Sequence, residues 1–345
     1  MPETDCSAPS KMRSFTINQN DAGQRLDKFI TKTVRGLPQS LLYKFIRTKR
    51  IKVDGKRAHE GDILTAGAVV EMYIPDEFFG EKAASVEYDR VKLVPQIVYE
   101  DENVILCDKK PGILVHVGDE GDKNTADAHE RETLLFALQA YMVKKGEYDP
   151  AAENSFAPAL CNRIDRNTGG IVIFAKNAVA LRILNEAIRD GKVHKKYLCA
   201  VHGKTGAGAL LTGYLRKDYK TKTVTVFREM KPGAKEIRTK YTTLAYNREK
   251  DLSLLEVELL TGRTHQIRAH MAFAGYPLLG EGKYAHNKED RKSGYSYQAL
   301  YSYKLAFEGL EDTPLAGLMG REFTVDKGNI GFLELFRDGQ YKNKK

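Results

Sequence analysis

The amino-acid sequence predicts an α+β protein: a small N-terminal α/β module, then a larger domain built on a mixed, mainly antiparallel sheet. Three observations predict it. Near the N-terminus two apolar sets recur at helical spacing, Leu26, Phe29, Ile30 and Val34, then Leu41, Leu42, Phe45 and Ile46. From Ile97 onward, short strand-like runs dominate. The late runs follow one another without helices between them, which argues for antiparallel or mixed pairing rather than a wound parallel sheet. At about 150 residues per domain, the 345 residues accommodate two domains.

Each element has a local reason. Ser14 to Ile17 reads as a short strand that Asp21-Ala22-Gly23 breaks. The first helix gathers Leu26, Phe29, Ile30 and Val34 on one face and turns Lys28, Lys32 and Arg35 elsewhere. Gly36 and Pro38 punctuate, and a second helix follows from about Ser40, with Lys44, Arg47, Lys49 and Arg50 basic. Ile51 and Val53 alternate before an Asp54-Gly55 turn, and a weaker strand closes with Gly61-Asp62-Ile63 and Val69 to Tyr73. Residues 12–75 thus form one module. Residues 76–95, mixed in charge and ending at Pro95, read as a linker. The larger domain, residues 96–310, offers strands Ile97 to Tyr99, Val104 to Asp108, Ile171 to Ala175, Lys196 to Val201, Thr223 to Phe227, Thr239 to Tyr246 and Leu252 to Leu260. Helices are expected at Glu132 to Lys144 and at Ala178 to Arg189, the latter stopped by Gly191. Residues 311–345 form a C-terminal extension with a basic tail, Lys342 to Lys345.

Hydrophobic residues at 42% and charged residues at 29% exclude a disordered, collagen-like or fibrous chain. The 55 Lys and Arg against 46 Asp and Glu give a net charge of +9, which points to a polyanionic partner. That charge is local. Residues 11–75 carry 13 basic and 6 acidic side chains, so the remaining 280 residues share only +2. Cys6, Cys107, Cys161 and Cys199 form no CxxC pair, which indicates reduced thiols rather than a zinc module or disulfide framework. No apolar leader and no run of about 18 apolar residues is present. The expectation is a soluble, cytoplasmic monomer with no membrane association.

No GxGxxG follows a strand, and GxxxxGK[ST] and HExxH are absent, so the motif-based dinucleotide, P-loop and zinc-protease readings fall away. Gly280-Glu281-Gly282-Lys283 reads as a turn, and His265 and His270, five apart, do not share a helix face for metal binding. Two polar clusters interrupt structured, apolar segments. In Asn162 to Gly170, Asp165 lies between Arg163 and Arg166 just before a buried strand, where opposite charge favours an ionised carboxylate. Ionised carboxylates make nucleophiles. The second, Thr261 to His270, gathers guanidinium, imidazole and amide groups suited to phosphate or carboxylate. By themselves the clusters also fit a structural ion pair and a solvated helix start.

Taken together, these segments resemble the RluA-type pseudouridine synthases. Asn162 to Gly170 is similar to the family's HRLDRxTSG, Thr261 to His270 to TGRTHQxRxH, Lys110-Pro111-Gly112 with His116 to KPxGxxVH, Lys195-Lys196-Tyr197 to KxYxAxVxG, and Gly275 to Gly280 to GxPxxG. Residues 12–75, with AGQRLDKFI, IKVDGK and EGDIL, resemble an S4 RNA-binding domain. The resemblance implies that Asp165 is the catalytic aspartate, Tyr197 the ring stacked on the target base, and Arg268 the partner of Asp165. Arg163 would enter the helix stack as the uridine swings out. Arg263, His265, Gln266 and Leu279 would bind substrate, with Lys44, Arg47, Lys49 and Arg50 on the S4-like module. Three residues depart from the family pattern: Asn162 replaces His, Gly169 replaces Ser, and Glu281 replaces Asp.

The function implied is isomerisation of uridine in RNA, chiefly 23S large-subunit ribosomal RNA, by base flipping and with no cofactor or metal. An S4 module within this family is typical of the ribosomal enzymes. Transfer RNA as substrate, a non-catalytic RNA-binding protein of the same fold, and a glycoside hydrolase are the competing readings. A hydrolase usually employs two carboxylates, and the Asp165 motif offers one.

Overall fold

The structure, a computed structural model, describes residues 12–79, 88–116 and 132–336. Cys6, residues 80–87 of the expected linker, residues 118–131 and the Lys342 to Lys345 tail lie outside the described residues. The chain divides into two compact units. One holds the residues up to 91 with segments 139–159 and 176–179, and the other holds 92–138, 160–175 and the residues from 180 on.

The first unit contains β1 (Arg13–Thr16), α1 (Leu26–Thr33), α2 (Gln39–Arg47), β2 (Ile51–Val53), β3 (Lys56–Arg57) and β4 (Val69–Met72). Its sheet runs in the order β1-β4-β2-β3. The expected apolar stripes, including Leu26, Phe29, Ile30, Val34, Leu42, Phe45 and Ile46, are buried together against Val70 and Met72. Asp54 and Gly55 both have positive φ, as a two-residue hairpin turn requires. Two expectations are corrected. Gly61 to Ile63 is not a strand: Ile63 makes a single bridge to Arg25 and is largely exposed. Lys49 and Arg50 are not on the second helix, because that helix ends at Arg47. Lys49 turns left-handed at φ 62°, its N–H reaching the Ile46 carbonyl and that of Arg50 the Phe45 carbonyl, a Schellman closure. Asp21, read as a turn residue, is fully buried and accepts hydrogen bonds from Asn154 and Ser155 within the same unit.

The remaining strands are β5 (Gln96–Glu100), β6 (Val104–Lys109), β7 (Ala159–Leu160), β8 (Gly169–Ala175), β9 (Val193–His202), β10 (Gly208–Asp218), β11 (Thr223–Phe227), β12 (Lys235–Asn247), β13 (Leu252–Leu259), β14 (Leu300–Phe307) and β15 (Glu322–Thr324). The main path is β11-β10-β12-β13-β9-β14-β8-β6-β5, with β15 beside β14 and β7 beside β8. Along that path only β14 and β8 pair in parallel, so the mixed, mainly antiparallel expectation holds. The principal helices are α3 (Leu134–Lys144), α4 (Ala178–Arg189) and α5 (Gln266–Phe273). The neighbouring strands β6 and β8 are buried at every residue, the signature of a sheet covered on both faces. Leu315, Leu318, Val325, Ile330, Phe332 and Phe336, beyond the expected end of the larger domain, belong to the same core as β8 and β14.

Two glycines open β8 and allow close approach. A β-carbon on Gly170, at φ 116°, would overlap the Ser302 carbonyl of β14, and one on Gly169 would overlap the Tyr301 ring. The turn carrying Asp165 is thereby held against the middle of the sheet.

Candidate active site

Asp165 sits in a turn immediately before β8, closed by the Thr168 N–H donating to the Asp165 carbonyl at 3.0 Å. Arg268, 103 residues away on α5, is its ion partner. Nη1 of Arg268 donates to Asp165 Oδ2 at 2.7 Å. The other edge of the guanidinium grips Glu281, Nε to Oε2 at 2.7 Å and Nη2 to Oε1 at 2.9 Å. Glu281 is 0% exposed and also accepts the backbone N–H groups of Lys283 (2.7 Å) and Tyr284 (3.3 Å). Burial opposes the charge of Arg268, but the Glu281 hydrogen bonds and the charges of Asp165 and Glu281 outweigh it and raise its pKa. Burial likewise pushes Glu281 upward, yet Arg268 and the two N–H groups hold its carboxyl below the usual glutamate value. One planar cation therefore joins two carboxylates, and its fork suits the bidentate half of that contact.

His265 precedes α5 in the left-handed conformation, φ 51°, a strain of about 1 to 3 kcal/mol that persists only where the surroundings enforce it. Its Nδ1 lies 2.6 Å from the Tyr284 hydroxyl and its Nε2 3.8 Å from Asp165 Oδ1. Burial lowers the pKa of His265, with Asp165 pulling it back upward. The Tyr284 ring stands 5.6 Å from the Arg268 guanidinium, and burial pushes its hydroxyl up to about 12.

Beneath the turn, Lys109 at the end of β6 is 0% exposed. Its ammonium donates to the carbonyls of Lys110 (3.1 Å), Ile113 (2.9 Å) and Arg166 (2.7 Å). Burial lowers its pKa to about 7 while Asp165 pulls it up, and three carbonyls match the three N–H bonds of the ammonium. The buried lysine of this segment is thus Lys109 and not Lys110, which is exposed. Lys109 staples the Pro111-Gly112 loop to the Asp165 turn, and Arg166 adds a second tie from Nε to the Gly112 carbonyl at 3.0 Å.

Tyr197 lies on β9, opposite Ser302 of β14, and is 6% exposed among Leu255, Val257, Ile267 and Leu300. Burial pushes its hydroxyl up to about 12, and the charge of Asp165 adds to the shift. Arg163 and Arg263 are exposed near the site. Two of the expected substrate-binding residues are packed within the protein. Gln266 is buried and its amide is engaged by Thr261, the Arg263 N–H, the Arg238 carbonyl and Thr239, so it shapes the loop before α5. Leu279 is 4% exposed and packs in the sheet core. His270 is buried on Thr239. Lys44, Arg47, Lys49 and Arg50 belong to the other unit.

The departures from the family pattern have local explanations. Asn162 accepts the Ile173 N–H at 2.7 Å and so anchors the start of the motif on β8. Gly169 leaves space for the Tyr301 ring, whose hydroxyl donates to Asp108 at 2.8 Å. Glu281 keeps a carboxylate on Arg268. Tyr284 and Lys109 are site residues that sequence reasoning missed, and Glu281 figures there only as a departure from the pattern and a turn residue. The available signals were an acidic residue directly after GxPxxG and a lysine closing an apolar strand.

Sequence reasoning found β11 but missed β10 and so the β10–β11 hairpin. Arg216, Lys217, Asp218, Tyr219, Lys220 and Thr225 line a cleft of about 420 Å³ on it, and Tyr219 is 81% exposed. The hairpin is tied to the Glu281 loop by Lys283 Nζ on the Lys222 carbonyl at 2.8 Å and by the Val224 N–H on Tyr284 Oη at 3.2 Å.

A mixed sheet that carries a carboxylate on a buried arginine, with a basic hairpin tied to the same loop, suits a polyanionic substrate. The RNA pseudouridylate synthase family model matches residues 103–273. The chain is 31% identical over 301 residues to an RNA pseudouridine synthase of Mycoplasma genitalium, covering 86% of this chain and 90% of that protein. It is 30% identical over 291 residues to the ribosomal large subunit pseudouridine synthase C of Escherichia coli K12, covering 81% and 82%. In fold it is similar to human RNA pseudouridylate synthase domain containing 4, with a TM-score of 0.52 and 18% identity over 70% of this chain and 93% of that one. The chain belongs to the RNA pseudouridine synthase family and is an isomerase acting on RNA. Among the described residues Cys107, Cys161 and Cys199 are free thiols, and no helix is long and apolar enough to cross a membrane.

Proposed function

We propose that this enzyme isomerises one or a few uridines of 23S large-subunit ribosomal RNA, with Asp165 as the catalytic carboxylate and residues 12–75 as an S4-like RNA-binding module. The observation that carries the mechanism is the asymmetric holding of Asp165. Arg268 takes Oδ2 at 2.7 Å, and His265 Nε2 approaches Oδ1 at the longer distance of 3.8 Å. Breaking N1–C1′ leaves positive character on the sugar and negative charge on the uracil, and an ionised carboxylate beside C1′ stabilises the former. The uracil then turns and rejoins through C5, whose hydrogen leaves as a proton while N1 takes one up. Nothing is oxidised and no group is lost, so the chemistry calls for no cofactor.

The reacting atoms are inaccessible in a stacked helix, so the base is extruded at a cost of about a few kcal/mol, offset by contacts such as stacking on Tyr197. The buried Tyr197, with its hydroxyl protonated at neutral pH, supports the role of an apolar platform. Arg163 is the side chain proposed to enter the gap, while Arg263 and the β10–β11 hairpin supply phosphate contacts. The ribosomal target rests on the names of relatives at 30% identity and on the +7 of residues 11–75, which suits the phosphates and shallow groove of A-form RNA. The test is tritium release from a uridine-labelled large-subunit transcript. Asp165→Asn is expected to abolish release while binding persists, and substantial turnover by that variant overturns the mechanism.

A further inference from the structure

We propose that Tyr284 and His265 are positioning residues for Asp165: the Tyr284 phenol locks His265 as the Nε2–H tautomer, and that N–H is a second donor for the carboxylate. The inference rests on the reading of Asp165 as the catalytic group.

The Val224 N–H donates to Tyr284 Oη at 3.2 Å, so the phenol oxygen already serves as an acceptor there. A phenol has one hydrogen of its own. Among the described residues its acceptor is His265 Nδ1, at 2.6 Å. With the phenol hydrogen placed on that contact, Nδ1 is the lone-pair nitrogen, and a neutral imidazole with a lone pair on Nδ1 carries its hydrogen on Nε2. That nitrogen points toward Asp165 Oδ1 across 3.8 Å. The gap exceeds a hydrogen bond in the resting protein.

The two carboxylate oxygens thus face different donors, a permanent cation at Oδ2 and a neutral N–H at Oδ1. The opposite tautomer would turn a nitrogen lone pair onto Oδ1 and repel it. Charged groups around the imidazole pull both ways: Asp165 and Glu281 favour its protonation, and Arg268 and Lys283 oppose it, as does burial. The left-handed backbone at His265 aims the ring between Tyr284 and Asp165. Val224 is on β11, so the lock is anchored in the sheet and does not depend on a surface loop alone.

Long-range proton–nitrogen correlation spectra of the imidazole rings in the full-chain protein test the assignment, with the His265 signal identified by its loss in His265→Gln. The wild type is expected to show a neutral Nε2–H ring at neutral pH, and Tyr284→Phe a mixture containing the Nδ1–H form. On the large-subunit transcript, Tyr284→Phe should lower kcat roughly tenfold, the scale of one lost orienting hydrogen bond, with KM within about twofold. His265→Gln, which restores an N–H near the Nε2 position, should retain more kcat than His265→Ala. A wild-type Nδ1–H ring or imidazolium overturns the proposal whatever the activity. A locked Nε2–H ring with unchanged kcat in Tyr284→Phe and His265→Ala overturns the positioning role. Turnover by Asp165→Asn removes the reading beneath that role and leaves the tautomer assignment standing, so the two failures are distinguishable.

Discussion

Glu281→Gln offers the sharpest single perturbation, because it removes one charge and almost no volume. Glu281 is fully buried and takes two hydrogen bonds from Arg268, at 2.7 and 2.9 Å. Breaking a buried ion pair by removing one partner costs about 3 to 5 kcal/mol. Asp165 still holds Nη1, and the glutamine oxygen keeps one contact, so the lower end applies, about 3 kcal/mol. At about 2 to 4 °C per kcal/mol for a unit of 150 to 250 residues, Tm should fall by about 6 to 12 °C. Arg268, no longer gripped from behind, should aim less well at Asp165, and kcat should drop about 10- to 100-fold. The sign of the pH dependence follows from the depressed carboxyl of Glu281. Its contribution is fully present above the ordinary value of 4.5 and is lost as pH falls through the lower native value. The stability gap between wild type and Glu281→Gln should therefore be constant above that value and shrink in more acidic solution. Thermal melts across pH and tritium release at saturating RNA measure both effects. Glu281→Asp, which keeps the charge, should lose less than Glu281→Gln. Equal losses, a Tm within about 1 °C of wild type, or a gap that does not shrink in acid would refute the reasoning.

Other outcomes follow from the same geometry. Arg268→Lys keeps a charge but cannot span Asp165 and Glu281 with a planar fork; kcat should fall at least about tenfold with RNA affinity nearly unchanged, measured by turnover and filter binding. Lys109→Met removes the donor from the carbonyls of Lys110, Ile113 and Arg166, of which that of Arg166 keeps the Gly112 N–H at 2.9 Å; at about 1 to 3 kcal/mol for each of the two left without that donor, urea unfolding should show a loss of roughly 2 kcal/mol or more. Replacing Lys217, Lys220 and Lys222 of the β10–β11 hairpin by Ala should weaken RNA binding and reduce its salt slope by about 0.7 to 0.9 for each phosphate no longer neutralised, while an unchanged slope would remove the hairpin from the RNA-binding surface.

What was legible in the sequence was whatever local pattern decides. The apolar stripes of α1 and α2 and the buried run of β8 follow from periodicity and length, and the Asp54-Gly55 turn from its residues. Asp165 and Arg268 were legible as motif members, though Arg163 and Arg166 looked like the nearer ionic partners. Only tertiary structure brings α5 across to the Asp165 turn. Glu281 looked like a turn residue because glycines flank it, and its burial is set by Arg268 and by the N–H groups of Lys283 and Tyr284. Gln266 and Leu279 carried motif positions, but packing directs the first to its own loop and the second to the core. Strand β14 shows no alternation because both of its faces are largely buried, and β10 is interrupted by Gly213. Lys49 and Arg50 continue the basic pattern of α2, yet the Schellman closure takes them off the helix.

The central claim is that Asp165 performs uridine isomerisation on large-subunit ribosomal RNA. Its most direct test is a pseudouridine map of total RNA from cells lacking the gene, complemented with either wild type or Asp165→Asn. The account predicts one or a few pseudouridines missing from 23S ribosomal RNA, restored by the wild type and not by Asp165→Asn. Restoration by Asp165→Asn, or a loss confined to transfer RNA, would contradict it.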